Sequence, residues 1–303
     1  MNLSGKKFLV LGANGYIGRH LVQALTGRGA QILAGDQQSE CSVAGAPYKQ
    51  VDICDPGSLS GADWNVDAVL FFAGLSGTGI GFKKYDEFVA ANELGLLNVL
   101  TAIRKSSFRP RVIFPSSRLV YKGAPGPLPE DAPKEAKTIY AVNKLACEEI
   151  LEVYRNAFDM PYTIYRICVP YGNLLGGGYS YGTVGAFLKQ AADAGGIRLY
   201  APGDLRRTFT HIGDVCSHIL DTCLSDASLH ETFNVPGEDL SLLQVAKLIA
   251  GHFGAEVQLT DWPDMDRRIE SGHTVFDGTK IQSKFGLNQM HSFKAWLEGI
   301  PVS

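Results

Sequence analysis

Short apolar runs rich in β-branched and aromatic residues alternate, through the first half of the chain, with longer stretches whose apolar positions recur every three to four residues. "KFLVLG", "QILAGD", "AVLFFAG", "RVIFPSS" and "YTIYRICV" have strand character, while "IGRHLVQALTGRG" and "YAVNKLACEEILEVYRNAF" carry the helical period. Such alternation predicts an α/β fold, a doubly wound parallel sheet with helices on both faces. The regularity fades after about residue 170, where "YGNLLGGGYSYG", "IRLYAPG" and "DWPDMDRRIESG" read as loops and small elements of a second lobe. A helix begun by Asp214, a good N-cap residue, and the strand "TFNV" are expected to return to the sheet. The expected division is a nucleotide-binding domain over 1–168 with a returning segment of about 206–236, and a smaller C-terminal α/β substrate-binding lobe from 169–205 and 237–303.

Composition narrows the partners. A chain of 303 residues buries a sizeable core, and its formal charge of −3 is spread without basic clusters, which argues against nucleic acid and anionic membrane. The six cysteines include no C-x-x-C pair and no histidine cluster at metal-ligand spacing, so they read as reduced thiols and no metal is expected. No apolar stretch approaches the roughly 20 residues of a membrane span. These features point to a cytoplasmic enzyme acting on small molecules.

The first strand and first helix meet in "LVLGANGYIGRHL", with Gly12, Gly15 and Gly18 at the junction. Glycine suits a tight turn, a close backbone approach to a pyrophosphate, and a helix packed against a strand; the helix N-terminus then offers amide donors to phosphate. Asp36 closes the second strand, where a carboxylate accepts hydrogen bonds from both ribose hydroxyls and repels a 2′-phosphate. Gln37 and Gln38 follow it and supply no arginine, so NAD is favoured over NADP. Asp52 and Ile53, after a third strand, either flank the adenine or serve as turn residues.

Tyr140 and Lys144 are four apart on a predicted helix and leave it on one face. A neighbouring ammonium stabilises a phenolate, which makes tyrosine a usable base. Ser117 ends the strand "RVIFPSS", at the carboxyl end that borders the ligand crevice of a doubly wound sheet, where its hydroxyl is available to a substrate oxygen.

With these residues in place the chain resembles the extended short-chain dehydrogenase/reductase family, whose members modify nucleotide sugars on a Rossmann fold. The resemblance rests on "GANGYIG", Asp36, "VDICD", "FFAG", "NELGLLNVL", "SSRLVY", "YAVNK", "RICVPYG", "RRTFTHIGDV", "FNVPG" and "RRIESG", and spans nearly the whole chain. It implies Ser117, Tyr140 and Lys144 as the catalytic trio. It implies cofactor contacts from Gly12, Asn14, Gly15, Tyr16, Ile17, Gly18, Phe72, Ala73, Gly74 and Asn92. "FFAGLSG" resembles UDP-glucose 4-epimerases in particular, with Ser76 facing the sugar. Arg207 and Arg268 match arginines that grip the diphosphate, Arg267 being a rival for the second. "IRLYAPG" would border the base. Val169 stands where many epimerases have an asparagine that touches the sugar nucleotide, which argues for a different sugar or phosphate arrangement. Relatives often form homodimers through a four-helix bundle, so a homodimer is expected.

Family dehydratases carry an Asp-Glu pair directly after the catalytic hydroxyl, whereas this chain has Arg118 and Leu119. Neither residue exchanges a proton at neutral pH in that role, which argues against dehydration. Arg118 either contacts a charged group on the substrate or pairs with a surface acid. The reading that follows is an NAD-dependent epimerase acting at C4 of a nucleotide-diphosphate sugar, with a 4-keto-sugar reductase as the alternative. A non-catalytic NAD(P) sensor is the reading from another class, against which the retained Tyr140 and Lys144 both count.

Overall fold

The computed structural model describes residues 2–176, 181–288 and 291–301, so positions 177–180 of the glycine-rich stretch lie outside the described residues. Strands β1 (Lys7–Leu11), β2 (Gln31–Asp36), β3 (Tyr48–Gln50), β4 (Ala68–Phe71) and β5 (Arg111–Ser117) come first, followed by the short β6 (Pro127–Leu128). Then come β7 (Tyr162–Ile167), β8 (Val169–Tyr171), β9 (Gly196–Tyr200), β10 (Arg206–His211), β11 (Thr232–Asn234), β12 (Glu238–Ser241), β13 (Glu256–Thr260) and β14 (Val275–Phe276). Helices α1 (Tyr16–Gly27), α2 (Tyr85–Val89), α3 (Gly95–Lys105) and α4 (Ile139–Phe158) intervene in the first half. The second half adds α5 (Gly182–Ala194), α6 (Ile212–Thr222), α7 (Leu242–Phe253), α8 (Asp264–Ile269), α9 (Thr279–Phe285) and α10 (Phe293–Glu298).

The first compact unit comprises Met1–Val120, Thr138–Arg166 and Cys216–Thr232. Its sheet runs in the order β11-β7-β5-β4-β1-β2-β3, the Rossmann order with a reversal at β1. β1 pairs in parallel with β2 on one side and β4 on the other, and β4 pairs in parallel with β5. Phe8, Leu9, Val10 and Leu11 are all buried, as expected of a strand covered on both faces. Leu9, Leu11, Val69, Phe71, Val112 and Phe114 join Leu96, Val99, Leu100 and Ile103 of α3 and Cys147 and Leu151 of α4 in one apolar cluster. That packing fixes the carboxyl ends of β1, β4 and β5 relative to the start of α4.

The second unit comprises Tyr121–Lys137, Ile167–Val215 and Phe233–Ser303. Strand β10 pairs antiparallel with β12 and parallel with β8, while β9 pairs with β13 and β6 with β14. Val169, Tyr171, Phe187, Leu188, Ile197, Phe209, Ile249 and Phe293 form its core.

The small element within "DWPDMDRRIESG" is the helix α8, entered from Pro263. Two details differ from the sequence expectation. "YTIYRICV" is not one strand: it divides at Cys168 into β7 and β8, which belong to different sheets. Asp214 does not cap α6 from outside. The helix starts at Ile212, and the Asp214 carboxylate, fully buried in the first turn, accepts from the His291 ring at 2.7 Å and the His291 amide at 3.1 Å. Among the described residues no helix is long and apolar enough to cross a membrane, and no group of three or more His, Cys, Asp or Glu is arranged to hold a metal.

Candidate active site

The glycine turn after β1 is dictated by space. Gly12 has φ of +83°, and a Cβ there would lie 2.4 Å from the Ala73 amide nitrogen, so only glycine fits. A Cβ on Gly18 would lie 2.0 Å from the Gly12 carbonyl oxygen, which is how closely α1 sits on the turn. Gly15 is the N-cap of α1. The Gly12 and Ala13 amides donate to the Gly35 carbonyl at 2.9 and 3.1 Å, fastening the turn to the end of β2.

A cleft of about 470 Å³ opens along this edge, a size suited to a small-molecule site. Of the expected residues, Gly12, Asn14, Gly15, Asp36, Asp52, Ile53, Phe72, Ala73 and Gly74 line it. The Asp36 carboxylate accepts from the Asn14 amide at 3.0 Å and the Gln38 amide at 3.3 Å. Asp52 accepts from the Cys54 amide at 2.9 Å, a local turn bond, and also lines the cleft. Tyr16, Ile17 and Gly18 form the first turn of α1 and are not part of the lining.

Asn92 is not among the residues that line the cleft. It is buried at 3 % exposure in a π-helical turn, Ala90–Leu94, between α2 and α3. Its carbonyl oxygen accepts from the Leu75 amide at 2.9 Å, and its NH₂ donates to the Leu75 carbonyl at 3.1 Å and to Asn143 at 3.3 Å. A Cβ on Gly74 would lie 2.4 Å from the Asn92 Oδ1. Asn92 therefore clamps the Gly74–Leu75 wall of the cleft from behind, because its amide is taken up by protein groups. The same turn brings Ala90 and Ala91 to the lining, with Glu87 from α2. Sequence reasoning did not single these out; the adjacent small residues in "VAANE" were the available signal.

Ser117 ends β5 at 7 % exposure, and its Oγ accepts from the Leu119 amide at 3.2 Å. Arg118 begins the 3₁₀ turn Arg118–Val120 and is half-buried; Leu119 follows it into the interior. Thr138 caps α4, its Oγ1 accepting from the Ala141 amide at 3.1 Å, so Tyr140 and Lys144 lie on the first turns of that helix. The Lys144 ammonium is 4.4 Å from the Phe114 ring centre on β5 and 5.6 Å from the Tyr140 ring centre, a cation held over two aromatic faces. Burial pulls the Lys144 pKa down from 10.5 to about 8, while the Cys147 and Glu148 side chains act in the opposite sense. Glu148, one turn beyond Lys144, receives the Nε and Nη2 of Arg166 on β7 at 2.9 and 2.6 Å, a buried two-point ion pair. β4 and β5 are neighbours, so Ser117 and the Phe72–Gly74 wall sit at the carboxyl ends of adjacent strands.

A match to the family model described as "NAD dependent epimerase/dehydratase family" runs over residues 8–235. The chain belongs to this family. It is 26 % identical to the dTDP-L-rhamnose 4-epimerase of Burkholderia thailandensis, over 84 % of this chain and 83 % of that protein. It is also 26 % identical to a dTDP-4-dehydro-6-deoxy-D-allose reductase from a Streptomyces species, over 83 % of this chain and 82 % of that one. The fold is that of the Thermus thermophilus UDP-glucose 4-epimerase solved in complex with NAD, at TM-score 0.85 and 23 % identity with 96 % of both chains covered. The family is NAD dependent, and the glycine turn and the Asp36 carboxylate in the 470 Å³ cleft fit that cofactor.

The remaining candidates of this family member lie outside the lining of that cleft. Ser76, in the first unit, is exposed just beyond the clamped Leu75, and Val169 is buried in the second unit's core against its neighbours in β8 and β10. Arg207 is 1 % exposed, and its guanidinium donates to Glu270 at 2.5 Å, to the Arg206 carbonyl at 2.9 Å and to the Gly272 carbonyl. Arg268 has a side chain 77 % exposed and pairs with Asp264 at 2.7 Å, one turn back on α8. Its rival Arg267 instead lines a second cavity of about 520 Å³, with Ala201, Pro202, Gly203, Trp262 and Glu270. The one-residue difference on α8 turns one arginine to the cavity and leaves the other to a surface ion pair, a choice that linear spacing does not reveal.

Proposed function

We propose that this protein is an NAD-dependent epimerase of a nucleotide-diphosphate sugar, acting by transient oxidation at C4. The observation that carries the reading is the Lys144 ammonium held over Tyr140 and over Phe114 of the strand that Ser117 closes, with Arg118 and Leu119 where elimination would require acids. NAD supplies a reversible hydride acceptor. Gly12, Gly15 and the α1 N-terminus would hold its pyrophosphate and Asp36 its ribose, with Phe72, Ala73 and Gly74 beside it. Tyr140 accepts the C4 hydroxyl proton and later returns it; Ser117 donates a hydrogen bond to the same oxygen; the Lys144 ammonium stabilises the phenolate and orients the cofactor ribose. In the second unit, Arg267 offers a permanent cation to a diphosphate and Trp262 a flat face to a base, while Glu270 and Gly272 of the same cavity hold the Arg207 guanidinium.

The identity to a 4-keto-sugar reductase supports one second reading, in which the same trio works once per turnover with an external hydride donor. Purified protein that interconverts C4 epimers without added cofactor supports epimerisation; stoichiometric NAD(P)H consumption with a keto sugar supports the reductase. Tyr140→Phe is expected to reduce turnover by at least about a hundredfold in either case, the range of general acid-base contributions. Full activity of that variant would end the reading. The exposed Leu94, Val142 and Val153, one before α3 and two on α4, support a homodimer formed through these helices. Six cysteines with no disulfide support a cytoplasmic location.

A further inference from the structure

The connection from Asp36 to Tyr48 runs past the ribose end of the NAD cleft with no regular structure and largely exposed, its one buried apolar anchor being Val43. Something other than packing must fix its course. One side chain, Asn14, supplies three of the hydrogen bonds that do so, beside one from Gln50 to the Gln37 carbonyl at 2.8 Å. The Asn14 NH₂ donates to the Gln38 Oε1 at 3.0 Å and to the Glu40 carbonyl at 2.8 Å, and the Asn14 Oδ1 accepts from the Ser42 amide at 2.7 Å. The Tyr48 hydroxyl adds bonds to the Asp36 carbonyl, at 3.2 Å, and to the Gln38 carbonyl. Asn14 belongs to the glycine turn, and its own amide donates to Asp36. Asn14, Asp36, Gln37 and Gln38 all line the cleft.

The turn that meets the pyrophosphate and the strap that borders the ribose are thus one hydrogen-bonded unit, joined through a single amide. We infer that Asn14 is a specificity-determining and cofactor-retaining pin: by holding residues 37–42 to the glycine turn, it keeps NAD resident between turnovers and denies space to a 2′-phosphate. The physical reason is preorganisation. The Asp36 carboxylate, already oriented by the Asn14 and Gln38 amides, meets ribose hydroxyls without reordering the strap. A 2′-phosphate would face that carboxylate and would have to break the Asn14 bonds to move the strap aside. The inference rests on the NAD reading and sharpens it, since an epimerase needs a cofactor that stays.

The test uses the full chain as wild type, Asn14→Ala and Gln38→Ala. NADH dissociation is followed by loss of its bound fluorescence on chasing with excess NAD, and equilibrium affinities are measured for NAD and NADP. Loss of three hydrogen bonds in Asn14→Ala is expected to speed dissociation by about tenfold or more and to reduce the preference for NAD over NADP by a similar factor. Gln38→Ala, which removes one bond, is expected to change both by about threefold. Wild-type dissociation and wild-type NAD preference in Asn14→Ala, even with a lowered melting temperature, would make Asn14 a fold residue only and overturn the inference. Should Asn14→Ala not fold, unchanged behaviour of Gln38→Ala overturns it equally. A wild-type protein that binds neither NAD nor NADH instead overturns the cofactor reading beneath it.

Discussion

Lys144 is charged below about pH 8 and neutral above, because burial disfavours its ammonium more than Cys147 and Glu148 favour it. If the ammonium sustains the Tyr140 phenolate, kcat/KM falls about tenfold per unit as pH rises past that value, and the limb is absent where arginine, charged at all accessible pH, replaces it. A flat profile through pH 9 in the wild type would remove Lys144 from the chemistry. The same burial costs stability. The folded-state pKa lies below the ordinary 10.5, so the unfolded chain holds its proton more tightly and the penalty, full below pH 8, is relieved as pH rises towards 10.5. Lys144→Met is therefore expected to be inactive and, at pH 7, more stable by roughly 2 kcal/mol in urea unfolding. The two adjacent arginines of α8 give a second contrast. Arg267→Ala is expected to raise KM for the nucleotide sugar about tenfold, whereas Arg268→Ala, which loses only an exposed pair with Asp264, leaves it within about twofold.

The elements that carry these residues are fixed by contacts of two kinds. The glycine turn and α1 are fixed by steric necessity: Gly18→Ala would set a methyl 2.0 Å from the Gly12 carbonyl, so helix and turn must separate. Loss of retained NAD with a destabilisation of about 2 kcal/mol or more is expected, read by cofactor content and thermal melting. Helix α4 is tied to β7 by charge. Arg166→Met leaves Glu148 buried at 9 % exposure without its partner, and about 3–5 kcal/mol of stability should be lost. Replacing both residues by Met removes the uncompensated charge and is expected to recover most of that loss in the same unfolding assay. Failure of the double variant to recover would mean that packing, not charge, ties the helix down.

At the scale of the molecule each compact unit is assembled from three separate stretches of chain. Cys216–Thr232 returns to the first unit and closes the far side of its sheet. Arg28 donates to Asp221 at 2.7 Å, Arg111 to the Ser225 carbonyl at 2.6 Å, and the Ile164 amide on β7 to the Glu231 carbonyl at 2.9 Å. A fragment ending at residue 168 therefore keeps the glycine turn, Asp36 and the trio, yet leaves β7 as a bare, fully buried type of strand at an open edge. Such a fragment is expected to aggregate or to melt without cooperativity by circular dichroism, and a soluble, NAD-binding fragment with a sharp transition would refute this dependence.

Much of the fold and of the lining of the candidate cleft could be read along the chain because both are written in local terms. Periodicity of 2 or 3.6, glycines at a strand-to-helix junction, an acid closing the next strand, and a phenol four residues from an amine each act over a turn or a strand of sequence. Residues whose role depends on what approaches from elsewhere were not legible in that way. Nothing along the chain shows that Leu75 and Asn143 meet the Asn92 side chain or that Glu270 pairs with Arg207, and Asp214 looks like a helix cap until His291 arrives. The sequence by itself determined which elements form and which chemical groups they carry, since these follow from backbone sterics and hydrophobic spacing. Only the tertiary structure decided which polar groups remain available to a ligand, since a donor or acceptor in the interior is satisfied by whichever partner the fold brings within about 3 Å.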